Sequence, residues 1–235
     1  MSSSNGKRKT SDKQPKLKLY YFDIVGKGEP IRLLCAYGGL ELEDYRFESR
    51  HVFNEMKKKG EFPFGQVPLL EVDGGDGKKV GLVQSGAILR YLGRLAGSYP
   101  EDDPLLAAKI DAILAQENDA FTGSTVVTYG PRFGITLDDE AVSQSEKLIA
   151  EEVTPRHLKA VEKLLEDSST GWLAGTEEPS PADFVWYVRL AVYMPSQPRF
   201  FPEKLVSFED FPKIKAFVEK FAGLDAINEY YAEKK

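Results

Sequence analysis

One change of pattern divides the chain. Every run that reads as a β-strand lies before residue 98, and only helical periodicity follows residue 104. That order builds a small α/β unit followed by an all-helical one. The change falls at "GSYPEDDP", residues 97–104, where glycine, prolines and acidic side chains interrupt both periodicities. The expected organisation is a polar tail over 1–16, an α/β domain over 17–98 and a helical domain over 104–235. With 235 residues, both units have room for a core.

In the first unit, Leu17 to Phe22 is apolar and aromatic and reads as a strand. Gly26 and Gly28 form a loop. Glu29 and Pro30 then open a helix that Gly38 and Gly39 end. Glu43 to Phe47 reads as a second short strand, and His51 to Glu61 as a polar stretch, partly helical at best. Leu69 to Val72 and Lys79 to Val83 flank the turn "DGGDG", and Ser85 reads as the N-cap of the next helix. The order is β-α-β, then β-β-α. In the second unit, helices are expected over 105–127, 138–167, 181–194, 210–221 and 224–232. Thr154-Pro155 is placed to kink or divide the second of them. Ser180 with Asp183 resembles a capping box, Asp standing in for the usual Glu.

Bulk properties exclude several classes of function. A net charge of −6 argues against broad attraction to nucleic acid. No apolar run approaches the roughly 20 residues that a membrane span needs, and no signal-peptide core precedes the first strand. The one cysteine, Cys35, rules out an intramolecular disulfide and a Cys-x-x-Cys site. A lone thiol fits a reducing compartment, so a cytoplasmic location is expected. His51 and His157 stand far apart, and no His/Cys cluster suggests a metal. The tail "MSSSNGKRKTSDKQPK" is polar and basic and is expected to be disordered. Its "KRK" reads as solvated charge ahead of a nuclear address.

Three places carry residue types suited to chemistry. Tyr20 and Tyr21 end the first strand ahead of the glycine loop, and alternation points them to opposite faces. Val67-Pro68 opens a strand where proline has no N–H to give. Either the proline is trans at a strand start, or it is cis and turns the Val67 backbone outward to pair with an extended peptide. Ser85 stands at a helix start, where first-turn amides and the helix dipole attract a carboxylate or phosphate. A plain N-cap would use the same residue.

Taken in order, "YFDIVGKGEPIR", "FGQVPLLEVDG" and "VQSGAILRYL" form a constellation that resembles the cytosolic glutathione transferases. The nearest class is the sigma-like, tyrosine-type one. "GWLAG", "SPAD" and "FPKIKAFVEKFAGLDAINEY" continue the match, which covers roughly residues 17–232. Each piece is moderately specific, and the set in order is highly specific. The resemblance implies a thioredoxin-like N-terminal domain, an all-α C-terminal domain and a homodimer. It implies a transferase that conjugates glutathione, its co-substrate, to hydrophobic electrophiles without a metal.

The family's catalytic tyrosine directly precedes the phenylalanine, which makes it Tyr21 here and leaves Tyr20 as packing. The chemistry is sensible. A thiolate, not a thiol, attacks an electrophile. A free thiol has a pKa of about 8.5 and is mostly protonated at neutral pH. A hydroxyl donating to the thiolate contributes roughly 1.5–3 kcal/mol, about one to two pKa units. Tyrosine remains a donor there because its own pKa is about 10. The resemblance further implies that the Val67 backbone pairs with the cysteinyl part of glutathione, beside cis-Pro68 and next to Gln66. Gln84 and Ser85 would hold the γ-glutamyl end, and Lys59 the glycyl carboxylate. Asp111, reaching across from the partner subunit, would meet the γ-glutamyl ammonium. The electrophile pocket is expected between the loop at Ile24 to Gly26 and the helix from Leu105. Thr122, Val126, Tyr129 and Phe133 are candidates there, each equally compatible with helix packing. Cys35 reads as a buried helix residue.

Three positions depart from the family pattern. Met56 or Glu55 stands where a tryptophan usually flanks the glycyl end, Lys27 replaces an arginine, and Ala115 replaces a second acid. These departures leave room for a non-enzymatic relative, a structural protein or carrier of apolar ligands. A glutathione-dependent isomerase of prostaglandin type is a further alternative. A thiol-disulfide oxidoreductase would need a cysteine near the start of the first helix, and Cys35 lies too far along.

Overall fold

The computed structural model describes residues 14–75 and 78–233. Residues 1–13 of the expected tail and residues 76–77 of the expected turn lie outside the described residues. Four strands form one sheet in the order β2-β1-β3-β4. They are β1 (Lys16–Phe22), β2 (Leu42–Phe47), β3 (Leu69–Asp73) and β4 (Lys79–Val83). β1 runs parallel to β2 and antiparallel to β3, and β3 pairs antiparallel with β4. Helices α1 (Glu29–Tyr37) and α3 (Ser85–Ala96) cover one face, and α2 (Arg50–Lys58) covers the other. This is the expected thioredoxin-like arrangement.

β1 is central, and its alternation decides which side each residue serves. Leu17, Leu19 and Tyr21 are buried with α1 and α3. Tyr20 packs with Tyr45, Phe47 and the α2 side of the sheet. Helix α2 is fuller than its polar sequence suggests. Ser49 accepts the Val52 N–H at 3.3 Å, and Val52, Phe53 and Met56 meet Phe47, Phe62 and Leu69. A lysine-rich segment folds as a helix there because the sheet supplies the apolar partner.

The rest of the chain is helical, as expected. Asp103 caps α4 (Pro104–Tyr129), accepting the Leu106 N–H at 2.9 Å. A short 3-10 turn, Gly130–Phe133, ends it. The helix expected over 138–167 is divided, as Thr154-Pro155 foretells. α5 (Asp139–Leu148) and α6 (Thr154–Glu166) flank a π-helical turn, Ile149–Val153. Pro155 has no N–H for the carbonyl of Glu151, so the ladder widens there. The helix expected over 181–194 is also not uniform. α7 (Pro181–Tyr187) passes into a second π-helical turn, Val188–Tyr193, and then a 3-10 turn, Met194–Ser196. A one-turn helix, α8 (Glu203–Val206), precedes α9 (Pro212–Ala222) and α10 (Asp225–Ala232).

α7 is buried throughout and centres the helical core with Trp172, Phe217 and Phe221. Trp186 donates its indole N–H to the Ile113 carbonyl of α4 at 3.0 Å. Asp183 is fully buried and accepts from Leu173 N–H, Ser180 N–H and the Ser180 hydroxyl at 2.7–2.8 Å. The last helix returns to the first domain, where Tyr230 donates to Glu29 of α1 at 3.0 Å.

Candidate active site

The site begins where β1 ends. Tyr21 is only 7% exposed, and its ring fills the space beneath the glycine loop. A Cβ on Gly26 would lie 2.5 Å from the Tyr21 hydroxyl, and one on Gly28 would lie 2.5 Å from Tyr21 Cδ1. The loop can close on the ring only because both residues are glycine, and Gly26 also has φ +39°. At the loop's tip the Lys27 N–H donates to the Tyr21 hydroxyl oxygen at 2.9 Å. The oxygen is thereby held as an acceptor, and its own proton remains available to donate. Burial pushes the Tyr21 pKa up, and the Lys27 amide and the charges of Arg189 and Arg32 oppose this without cancelling it. The phenol stays protonated at neutral pH and can donate.

Arg32, from α1, holds the loop from below. It donates to the carbonyls of Ile24 and Phe22 at 3.0 and 3.2 Å, to Glu29 at 3.1 Å and to Asp44 at 3.0–3.1 Å. Sequence reasoning gave this residue no role, although it stands inside the quoted motif. Nothing short of the folded loop shows which carbonyls it must satisfy.

A cleft lies between the two domains beside this loop. Gly26, Lys27, Ser85 and Gly86 line it from the first domain, and Glu117, Asn118 and Arg189 from the second. Ser85 is thus brought to the same cleft as the Tyr21 loop. Ser85 is the first residue of α3 and not its cap, which corrects the expected N-cap. Gln84 holds the cap position with φ 69° and ψ 113°, and no side chain caps the helix. The first-turn amides of α3 therefore lack a side-chain acceptor, the condition under which a helix start takes an anion. A non-glycine residue at positive φ is strained, and such strain gathers at ligand-binding positions.

The other expected residues lie around this centre. Val67-Pro68 is a cis bond at the start of β3; Pro68 is buried, Val67 half-buried and Gln66 exposed. Of the three lysines at the end of α2, Lys58 pairs with Glu55 at 2.7 Å, while Lys57 lies against Gly65. Lys59 is exposed and has no partner among the described residues. Asp111 is drawn toward α3 within its own chain, accepting from Arg90 at 2.6 Å and Tyr99 at 3.0 Å.

Of the residues expected in the electrophile pocket, Ile24, Tyr129 and Phe133 are large apolar groups left 58%, 44% and 54% exposed, and Ile135 joins them. Tyr129 is within electrostatic reach of Tyr21. Thr122 instead returns its hydroxyl to the Asn118 carbonyl at 2.6 Å, and Val126 is half-buried on the same helix. Cys35 is buried, and burial pushes its thiol up to about 12, which makes it inert. Among the described residues, no group of three or more His, Cys, Asp or Glu is placed to hold a metal. No described helix is long and apolar enough to cross a membrane.

The chain matches two family models. "Glutathione S-transferase, N-terminal domain" covers residues 17–94, and "Glutathione S-transferase, C-terminal domain" covers residues 133–234. Glutathione S-transferase 1 of Ascaris suum is 34% identical over 226 residues, spanning 94% of this chain and 97% of that protein. The solved glutathione S-transferase of Ascaris lumbricoides superposes with a TM-score of 0.72 at 31% identity, over 94% of this chain and 98% of that one. A solved prostaglandin synthase D of Nilaparvata lugens superposes at 0.76 with 27% identity, over 94% and 99%. The two-domain fold, the tyrosine loop and these likenesses converge: the chain belongs to the glutathione S-transferases.

Proposed function

We propose that the chain conjugates glutathione to small apolar electrophiles by a tyrosine-assisted mechanism of the sigma-like kind. The observation that carries this reading is the 2.9 Å bond from the Lys27 N–H to the Tyr21 hydroxyl oxygen, which frees that hydroxyl to donate. In the reaction the glutathione thiol gives its proton to solvent. The thiolate accepts the Tyr21 O–H, attacks the electrophilic carbon, and the leaving group departs with its electron pair. Tyr21 holds its own proton throughout.

Around that centre, the Val67 backbone beside cis-Pro68 would pair with the cysteinyl unit, next to Gln66. Gln84, Ser85 and the uncapped first turn of α3 would take the γ-glutamyl carboxylate. Lys59, exposed and without a partner among the described residues, would meet the glycyl carboxylate. In a homodimer, Asp111 of each subunit would approach the γ-glutamyl ammonium in the other. Exposed Phe64 and Leu105 are apolar side chains suited to such an interface. Ile24, Tyr129, Phe133 and Ile135 would seat the electrophile. The domain limits 17–98 and 104–235 and a cytoplasmic location accord with this reading.

A second reading, glutathione-dependent isomerisation of prostaglandin type, draws support from the likeness to the Nilaparvata lugens synthase. The test is turnover of a chloronitrobenzene by wild type, Tyr21→Phe and Tyr20→Phe. Tyr21→Phe should lose about ten- to a hundredfold, the loss of one donor to a charged group, and Tyr20→Phe little. Equal losses would sink the assignment. An inactive wild type that still binds glutathione resin would favour the isomerase or a carrier.

A further inference from the structure

Three cations stand around Tyr21, and they are not equivalent. Arg32 is engaged by the carboxylates of Glu29 and Asp44 and by two loop carbonyls. The Lys27 ammonium is drawn aside to Asn118 Oδ1 at 2.9 Å. Arg189 is different. Its Nε donates to Glu117, and its two Nη groups have no hydrogen-bond partner among the described residues. Its side chain is 13% exposed and that of Glu117 5%, so the pair is nearly dry. The guanidinium stands over Phe121 at 4.9 Å and Tyr193 at 4.6 Å, which leaves it little freedom to move. Both Arg189 and Glu117 line the cleft that holds Gly26, Lys27 and Ser85. Arg189 also lies in the π-helical turn Val188–Tyr193, a feature that recurs at functional sites.

A dry ion pair is a costly way to fill space. Well-packed apolar side chains of similar volume would serve stability as well or better. The pair therefore calls for a role beyond packing, and its place supplies one. We propose that Arg189 is a positioning residue, a fixed positive charge from the helical domain, oriented by Glu117, that favours the ionised glutathione thiol at Tyr21. This rests on Tyr21 being the donor to that thiol. Glu117 takes one edge of the guanidinium and aims the other. The charged and titratable groups that face the site are Lys27 on the loop, Arg32 on α1, Glu117 and Tyr129 on or ending α4, and Arg189 after α7. Of the three cations, Arg189 alone has two Nη groups with no hydrogen-bond partner among the described residues.

The test is the pH dependence of kcat/KM for a chloronitrobenzene at fixed glutathione, with Arg189→Met, Arg189→Lys, Tyr21→Phe and the double variant Glu117→Leu/Arg189→Met. Arg189→Met should raise the apparent pKa of the bound thiol by about one unit. The rate near pH 6 then falls about tenfold, and the deficit closes at alkaline pH. Arg189→Lys should restore most of the shift. The double variant leaves no uncompensated buried charge but also removes the opposing charge of Glu117, so it reports a smaller shift in the same direction should Arg189→Met alone fail to fold. A wild-type pH profile in a folded Arg189→Met or double variant overturns the inference, whatever happens to kcat. If Tyr21→Phe moves the profile and the Arg189 variants do not, the tyrosine reading stands and this one falls. If the Arg189 variants move it and Tyr21→Phe does not, Arg189 acts on the thiol and the tyrosine reading falls.

Discussion

At the residue scale the site depends on what is missing from two side chains. Gly26 and Gly28 give the Tyr21 ring its place, because a methyl group on either would lie 2.5 Å from a ring or hydroxyl atom. Gly28→Ala is the cleaner probe, since its backbone is not at positive φ. The ring must then shift, and the Lys27 bond to its hydroxyl breaks. The expected result is at least a tenfold loss of kcat/KM at a stability cost of about 2 kcal/mol. Kinetics beside chemical denaturation checks both, and unchanged kinetics would show that the loop does not hold the ring. The opposite placement of Tyr20 and Tyr21 was legible in the sequence, because a strand alternates its side chains. Arg189 and Glu117 were not. They stand 72 residues apart, and only the packing of α7 against α4 makes them partners. Arg32 was hidden differently: beside Glu29 and Asp44 it satisfies two main-chain carbonyls, which a sequence does not display.

At the element scale, strands and long helices followed their periodicities, and the departures have local causes. Helix α2 was underestimated because its apolar positions are few and its partner is a sheet formed elsewhere in the chain. The two π-helical turns left no mark in the apolar pattern, although Pro155 marked the position of the first. Serine at a helix start favours the cap position, but Gln84 at positive φ takes it and Ser85 becomes the first residue of α3. The box at Ser180 and Asp183 was legible, but not its reach to Leu173. Asp183→Ala leaves three buried donors without an acceptor and should cost about 3–5 kcal/mol. Burial raises the Asp183 carboxyl from 3.8 to about 6, ahead of the hydrogen bonds that pull it down. A raised carboxyl pKa favours the protonated form in the folded state. Its stabilising contribution is complete below pH 3.8 and is lost as pH rises through about 6. Denaturation of wild type and Asp183→Ala should show a larger difference near pH 4.5 than at pH 7. The reverse trend would contradict the assignment.

At the scale of the whole molecule, each domain brings different groups to the candidate site. The sheet domain carries the phenol, the cis-proline corner and the uncapped start of α3. The helical domain closes the cleft with Glu117, Asn118 and Arg189 and leaves apolar Tyr129 and Phe133 exposed. The division into two units was readable from periodicity alone, because strands and helices repeat differently. How the units meet was not readable, since no local pattern encodes a cleft shared by residues from 26 to 189. Stabilisation of a glutathione thiolate by Tyr21 is the step on which the proposed reaction depends. It is tested most directly by titrating the ultraviolet thiolate absorbance of glutathione bound to wild type and to Tyr21→Phe. A bound thiol that ionises about one to two pH units below the free one in wild type, and returns toward about 8.5 in Tyr21→Phe, is the predicted result. The same titration curve in both proteins would contradict the account.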